Sequence, residues 1–248
     1  DVSLLRMFAK YGIPGVHPAW EHDLNARNKA GDTALTWCAA NGMFAYDTSL
    51  LEGLLAEGAD PNGANDDGED FLMVLAKRMS VSDDYVDAFL RWGGNANRKN
   101  KSGENLLFFV YPKEPVKKLL FAGADPNARS LSGMTPLMEG MSGEFYYDTA
   151  LELYRGGADP TQGWGTETPL FLYLSKSPSG IGLRFMAELL TAGYSVRDLL
   201  GTDDMRLFRK KLGEKNSDSQ LSPVPAKVTF FALCGLYGEK SPARESRL

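Results

Sequence analysis

Gly123-Ala-Asp-Pro-Asn127, followed eight residues later by Thr135-Pro-Leu137, is the stretch that decides the fold. Glycine readily takes the left-handed conformation that ends a helix. Alanine lets neighbouring layers approach, and Asp-Pro sets a turn. Threonine caps the next helix by accepting a backbone N–H. Proline suits the first helical turn, where its missing N–H costs nothing. Leucine then faces a core.

Outward from this stretch the same words recur. The first phrase returns as Gly58-Ala-Asp-Pro-Asn62, Gly93-Gly-Asn-Ala-Asn97, Gly157-Ala-Asp-Pro160 and a worn Gly193-Tyr-Ser-Val196. The glycine-to-glycine steps are 35, 30, 34 and 36 residues. An apolar pair precedes each copy: Leu54-Leu55, Phe89-Leu90, Leu119-Leu120, Leu153-Tyr154 and Leu189-Leu190. The second phrase returns as Thr33-Ala-Leu35, Asp70-Phe-Leu72, Asn105-Leu-Leu107 and Thr168-Pro-Leu170, always opening on a capping residue.

Between the phrases lie two short apolar-periodic stretches per unit, at 136–142 and 147–155 in the fourth. Each predicts a helix of two to three turns. Helices this short are marginal alone in water, so neighbours must hold them. The expected unit is hairpin, inner helix, loop, outer helix.

The Thr-Pro-Leu and Gly-Ala-Asp-Pro-Asn phrases at this spacing resemble the ankyrin-repeat family, whose period is about 33 residues. The resemblance runs from about Asn25 to Val196. It implies an all-α ankyrin-repeat solenoid of helix–loop–helix units joined by short β-hairpin-like connections. Residues 1–24 are expected to form a partial N-terminal capping repeat, with Leu4 to Gly12 as its outer helix. Residues 25–196 are expected to form an array of about five repeats. Residues 197–248 depart from the pattern and are expected to supply a helical cap over the last layer, with a frayed tail. The second and third units lack Thr-Pro, and the inter-helix loops vary in length.

Composition fits a soluble globular class, with 43% hydrophobic and 24% charged residues in 248. A formal net charge of -5 argues against non-specific nucleic-acid binding, which needs a basic face. No apolar run of transmembrane length occurs. Cys38 and Cys234 are too few for a disulfide framework, and both read as reduced, semi-buried residues. The chain begins at Asp1, which leaves room for a removed signal or anchor. The expected compartment is cytoplasmic, or periplasmic if such a signal preceded Asp1.

Candidate chemistry is sparse. His17 and His22 sit in a loop with Pro14 and Pro18, without a converging ligand set. The run Asn65-Asp66-Asp67-Gly68-Glu69-Asp70 has adjoining acids where a calcium loop needs alternating ones. Ser179-Gly-Ile-Gly182 lacks the preceding strand of a phosphate-binding turn. No nucleophile elbow appears. The expectation is therefore no catalytic centre, no metal and no cofactor.

The family resemblance implies instead that hairpin tips and the concave face of the inner helices grip a protein partner. Transferred to this chain, those positions are Lys29, Asp32 and Asn41 in the first full repeat, and Asp66, Asp67, Glu69 and Arg78 in the second. The third repeat offers Lys101, Glu104 and Lys113, the fourth Leu131 and Met134, and the fifth Trp164, Glu167 and Lys176. The second tip is expected to be acidic and to suit a basic partner. Phe44, Tyr46 and Phe145-Tyr-Tyr147, in inter-helix loops, read equally as contacts or as packing. Some bacterial immunity proteins against lipase-type toxins are similar in being compact ankyrin arrays of this size. That resemblance implies an inhibitor that holds a toxin enzyme. A substrate-recruiting arm of a larger effector enzyme, or a general scaffold, is the alternative.

Overall fold

The computed structural model describes residues 20, 23–44, 48–140, 147–163, 168–169, 185, 188–189, 191–194 and 198–199. The chain forms two compact units, Asp1–Gly140 with Asp148–Ala158, and Met141–Tyr147 with Asp159–Leu248. Among the described residues the structure is helical, and its one β feature is an isolated antiparallel bridge between Ala64 and Asp70.

Two series of elements alternate along the chain, called inner and outer here after their places in the expected unit. The inner series is α1 (Ala34–Ala40), α3 (Phe71–Arg78), a 3-10 turn (Leu106–Phe108) and α6 (Pro136–Gly140). The outer series is α2 (Ser49–Ala56), α4 (Asp83–Arg91), α5 (Lys113–Phe121) and α7 (Tyr147–Arg155). Inner packs on inner and outer on outer: α1 meets α3, α6 meets the 3-10 turn, and α4 meets α5.

The capping residues work as their chemistry dictates. Thr33 and Thr36 form a reciprocal capping box on α1. Asp70 Oδ1 accepts the N–H groups of Leu72 and Met73 at 3.0 and 2.9 Å. Asn105 Oδ1 accepts Leu107 N–H at 3.2 Å, and Thr135 Oγ1 accepts Met138 N–H at 3.3 Å. The leucine that closes each phrase (Leu35, Leu72, Leu107, Leu137) is at most 1% exposed. At the other end, Gly58 has φ 95°; its N–H donates to Leu55 O and Ala59 N–H reaches back to Leu54 O at 3.0 Å. This closes the helix with both bonds of a Schellman motif. The same pair recurs at Gly93, Gly123 and Gly157.

The third inner element differs from expectation. A helix of two to three turns was expected there, and three 3-10 residues form. Phe109, Val110 and Tyr111 are β-branched or aromatic, and Pro112 disfavours helical backbone at Tyr111. Pro112 itself, at φ -62° and ψ 137°, caps α5. Phe108 is buried, while Phe109 and Tyr111 are half-buried.

Aromatic rings run through the core. Phe71 lies edge-on between Phe44 and Phe89, with centroids 6.1 and 5.8 Å away. Phe44 is therefore packing, not a surface contact. Cys38 is fully buried and unbridged, and burial pushes its thiol up to about 12.

A ladder of asparagines joins successive turns. Asn25 donates through Nδ2 to Gly58 O at 3.0 Å and accepts Asp60 N–H at 2.7 Å. Asn62 does the same to Gly93 O and Asn95 N–H, and Asn97 to Gly123 O and Asp125 N–H. Asn127 Nδ2 donates to Gly157 O at 2.9 Å. The asparagine at the end of each phrase thus clamps the helix terminus one repeat later.

In the second unit Thr161 takes the asparagine's place, and its Oγ1 donates back to Asp159 at 2.7 Å. It has no amide with which to make the two-point clamp. The Thr168 hydroxyl donates to Leu199 O; Phe185, Leu189 and Leu199 are buried. Gly193, at φ 98°, keeps the helix-ending bond from Tyr194 N–H to Leu189 O.

The leading segment, His17, His22, Tyr46, the side chains of 145–147, Trp164, Glu167, Lys176, Ser179–Gly182, Cys234 and residues 200–248 of the expected cap lie outside the described residues.

Candidate functional site: the row of hairpin tips

Each tip is a five-residue turn built by one side chain. Asn65 exchanges backbone bonds with Gly68 and Glu69, while its Oδ1 accepts the N–H groups of Asp67 and Glu69 at 3.0 and 2.9 Å. Asn28 and Asn100 build the same turn. Ser130 substitutes its hydroxyl, accepting Met134 N–H at 3.1 Å. The pattern Asn-x-x-Gly-x is present in the sequence three times, and it could have located the tips to the residue.

Neighbouring tips are stitched together. Lys101 N–H donates to Asp67 O at 2.8 Å, and Leu131 N–H donates to Ser102 O at 2.7 Å. Gly103 (φ 79°) shows why only glycine fits: an added Cβ would lie 3.2 Å from Arg129 O and 3.3 Å from Leu131 N. The second, third and fourth tips therefore stand side by side as one rigid edge.

The expected contact residues divide by exposure. Lys29, Asp66, Asp67, Arg78, Lys101 and Lys113 are exposed, and Leu131 is 83% exposed. Asp32, Glu104 and Met134 are half-buried. Asn41 is exposed at the end of α1 and donates to Trp37 O at 2.9 Å. Burial holds the Asp32 carboxyl above the ordinary range, and Asp66 nearby adds to this against a hydrogen bond with Thr36. Lys113 opens outer helix α5, not an inner element, and pairs with Glu152 at 3.7 Å.

The acidic second tip needs correction. Glu69 is only 7% exposed, because its side chain turns inward to meet Lys77 and Asn65. Asp66 pairs with Arg27 at 3.0 Å. Among the described residues, Asp67 alone of the three has no cationic partner. Asp66, Glu69 and Asp70 engage separate partners, namely Arg27, Lys77 and the Leu72 and Met73 amides. Among the described residues, no group of three or more His, Cys, Asp or Glu side chains could hold a metal ion. Lys77 also stands over the Phe109 ring, 5.1 Å from its centroid.

Behind the tips, one interface breaks the repeat rule in two coordinated places. The residue after the clamping asparagine is small in the other copies: Ala26, Gly63 and Ala128. A Cβ on Gly63 would sit 3.3 Å from Thr33 Cγ2, so this position abuts the preceding repeat's cap. At the next interface the cap is Asp70 and the following residue is Arg98. Burial pushes the Asp70 carboxyl up to about 6, against hydrogen bonds from Met73 and Leu72 and the Arg98 charge. Asp70 Oδ2 and Arg98 Nε are both buried and find no hydrogen-bond partner among the described residues. The second and third repeats thus meet across an imperfectly matched buried charge pair.

No protein-family model matches this chain. It is similar to the mitochondrial disaggregase of Bos taurus, at 34% identity over 132 residues. The match takes in 49% of this chain but only 18% of that protein. Among the described residues, no helix is long and apolar enough to cross a membrane.

Proposed function

We propose that this chain is an ankyrin-repeat array that binds another protein through its row of tips, without catalysing a reaction. One observation carries the reading. Three successive tips, each fixed by its own Asn or Ser turn, are hydrogen-bonded into a single edge that displays exposed Asp67, Lys101 and Leu131. Surface groups held on a rigid frame lose little entropy on binding, which is what a recognition surface requires. The helix caps, the helix-ending glycines and the asparagine ladder support the repeat assignment, since each recurs once per unit.

The most specific form of the reading is an inhibitor that holds a bacterial toxin enzyme, with a lipase-type toxin as its first candidate. A recruiting module of a larger protein is the second form. The similarity to the disaggregase favours the second, because it is confined to under a fifth of that protein's length.

The test is affinity capture from an extract of the source organism with the tagged chain. A tip variant combining Lys29→Glu, Asp67→Lys and Lys101→Glu is compared with an outer-helix variant, Asp84→Lys with Lys117→Glu. Loss of more than about tenfold in partner recovery with the tip variant alone is expected. Equal recovery by both variants, or loss only with the outer one, rejects the tips as the binding surface.

A further inference from the structure

We propose that Asn62 and Gly63 form a self-modification site, a one-way chemical latch at the junction of the second and third repeats. This is independent of what the tips bind. Of the ladder asparagines, Asn25, Asn97 and Asn127 precede Ala26, Arg98 and Ala128, and Asn62 alone precedes a glycine. Without a Cβ, glycine leaves its nitrogen open to approach. Gly63 N attacks Asn62 Cγ: the N–Cγ bond forms, the Cγ–Nδ2 bond breaks, and ammonia leaves with the proton from Gly63 N. Water then opens the cyclic imide. A carboxylate remains at position 62, on either the normal or the isoaspartyl backbone.

The closed junction holds this step back. Asn62 Nδ2 donates to Gly93 O at 3.0 Å, its Oδ1 accepts Asn95 N–H at 2.7 Å, and Gly63 N–H donates to Asp60 O at 2.9 Å. Every group that must move is tied, so the reaction runs from the opened junction. The same junction carries Asp70 Oδ2 and Arg98 Nε, both buried and unmatched among the described residues. Unmatched buried polar groups favour opening, and opening here is local. The product cannot reverse it. A carboxylate still accepts Asn95 N–H, but it presents oxygen where Gly93 O needs a donor. The second and third tips, joined by Lys101 N–H and Asp67 O, then lose the clamp behind them. The chain's other Asn–Gly pair, Asn41–Gly42, is the internal control. Asn41 is exposed at the end of α1 and donates to Trp37 O within its own helix.

The experiment incubates the full chain near neutral pH and follows the amide-to-acid mass gain at residues 62 and 41 by peptide mapping. The chain in urea is the unfolded reference. Conversion at Asn62 is expected in the folded chain, at least about tenfold slower than in urea. Its rate should follow the junction. Arg98→Ala leaves Asp70 without its counter-charge and should raise the Asn62 rate at least about fivefold. Asp70→Thr/Arg98→Ala removes both buried charges and should lower it by about the same factor. The Asn41 rate should stay constant in both. Thermal melting establishes that each variant is folded, and if one is not, the other decides. No conversion at Asn62 in the folded chain, a rate indifferent to the variants, or a change shared equally by Asn41 would overturn the proposal.

Discussion

Asn97 Oδ1 accepts the backbone N–H of Asp125 at 2.7 Å, across 28 residues of sequence. The same side chain donates through Nδ2 to Gly123 O at 2.6 Å. One amide therefore satisfies a carbonyl left open where helix α5 ends and fixes the turn that follows. Asn25 and Asn62 do this at the two preceding interfaces. Short helices that cannot stand alone are tied at the same point at each of these three interfaces.

Asn97→Ala should destabilise the chain by about 1–2 kcal/mol, the loss of two hydrogen bonds that water partly replaces at an exposed site. Asn41→Ala, which removes one exposed bond within its own helix, should cost less than about 0.5 kcal/mol. Urea denaturation with an unchanged m-value measures both. Equal effects of the two substitutions would remove the ladder from the account.

Asp70 sets a pH dependence of definite sign. Burial pushes its folded-state pKa up to about 6, above the ordinary 3.8. Between those values the native chain holds a proton that the unfolded chain releases. Its contribution is therefore fully present below the ordinary pKa and is lost as pH rises through about 6, on the order of 3 kcal/mol at most. Asp70→Asn keeps a capping oxygen and should abolish that decline. The pair Asp70→Thr/Arg98→Gly, which copies Thr33 and Gly63 of the preceding interface, should be at least as stable as the parent at pH 7. Denaturation midpoints at pH 4.5 and 7 decide both points.

The division between what sequence showed and what it hid follows from local versus cross-repeat physics. Caps, helix-ending glycines and buried leucines are set by residues within a few positions of one another, so Thr33, Gly58 and Leu72 were legible. Asn97 reaches a partner 26 residues on, and a single chain gives no local sign of that bond. Glu69 reads as an exposed acid because hydropathy cannot tell which way a charged side chain turns. The short 3-10 turn was legible in principle from Tyr111-Pro112, but the period of the array masked it. The turns that open on Asn28, Asn65 and Asn100 are legible from the Asn-x-x-Gly-x pattern, while their charge balance is not, since ion pairs such as Arg27–Asp66 span adjacent repeats.

Gly103→Ala should be more damaging than Gly58→Ala. Both glycines have positive φ, so each substitution costs about 1 kcal/mol in backbone strain. The Gly58 Cβ would enter open space, whereas the Gly103 Cβ would press on the backbone of the fourth tip. Thermal melting of the two variants should rank them in that order, and the reverse order would contradict the stitched-tip geometry.

Phe71→Ala removes the ring that bridges Phe44 and Phe89 and should cost about 3–5 kcal/mol. Leu131→Ser, at an exposed crown, should change stability by less than about 0.5 kcal/mol. Chemical denaturation separates them. A large loss from Leu131→Ser would mean that this residue serves the fold and not a partner.

Amide hydrogen exchange on the chain, alone and saturated with its captured partner, probes the binding surface without any substitution. Slowed exchange at 65–69, 100–104 and 130–134, with outer helices α4 and α5 unchanged, is the expected footprint. Protection confined to α4 and α5, with the three turns exchanging as in the free chain, would contradict it.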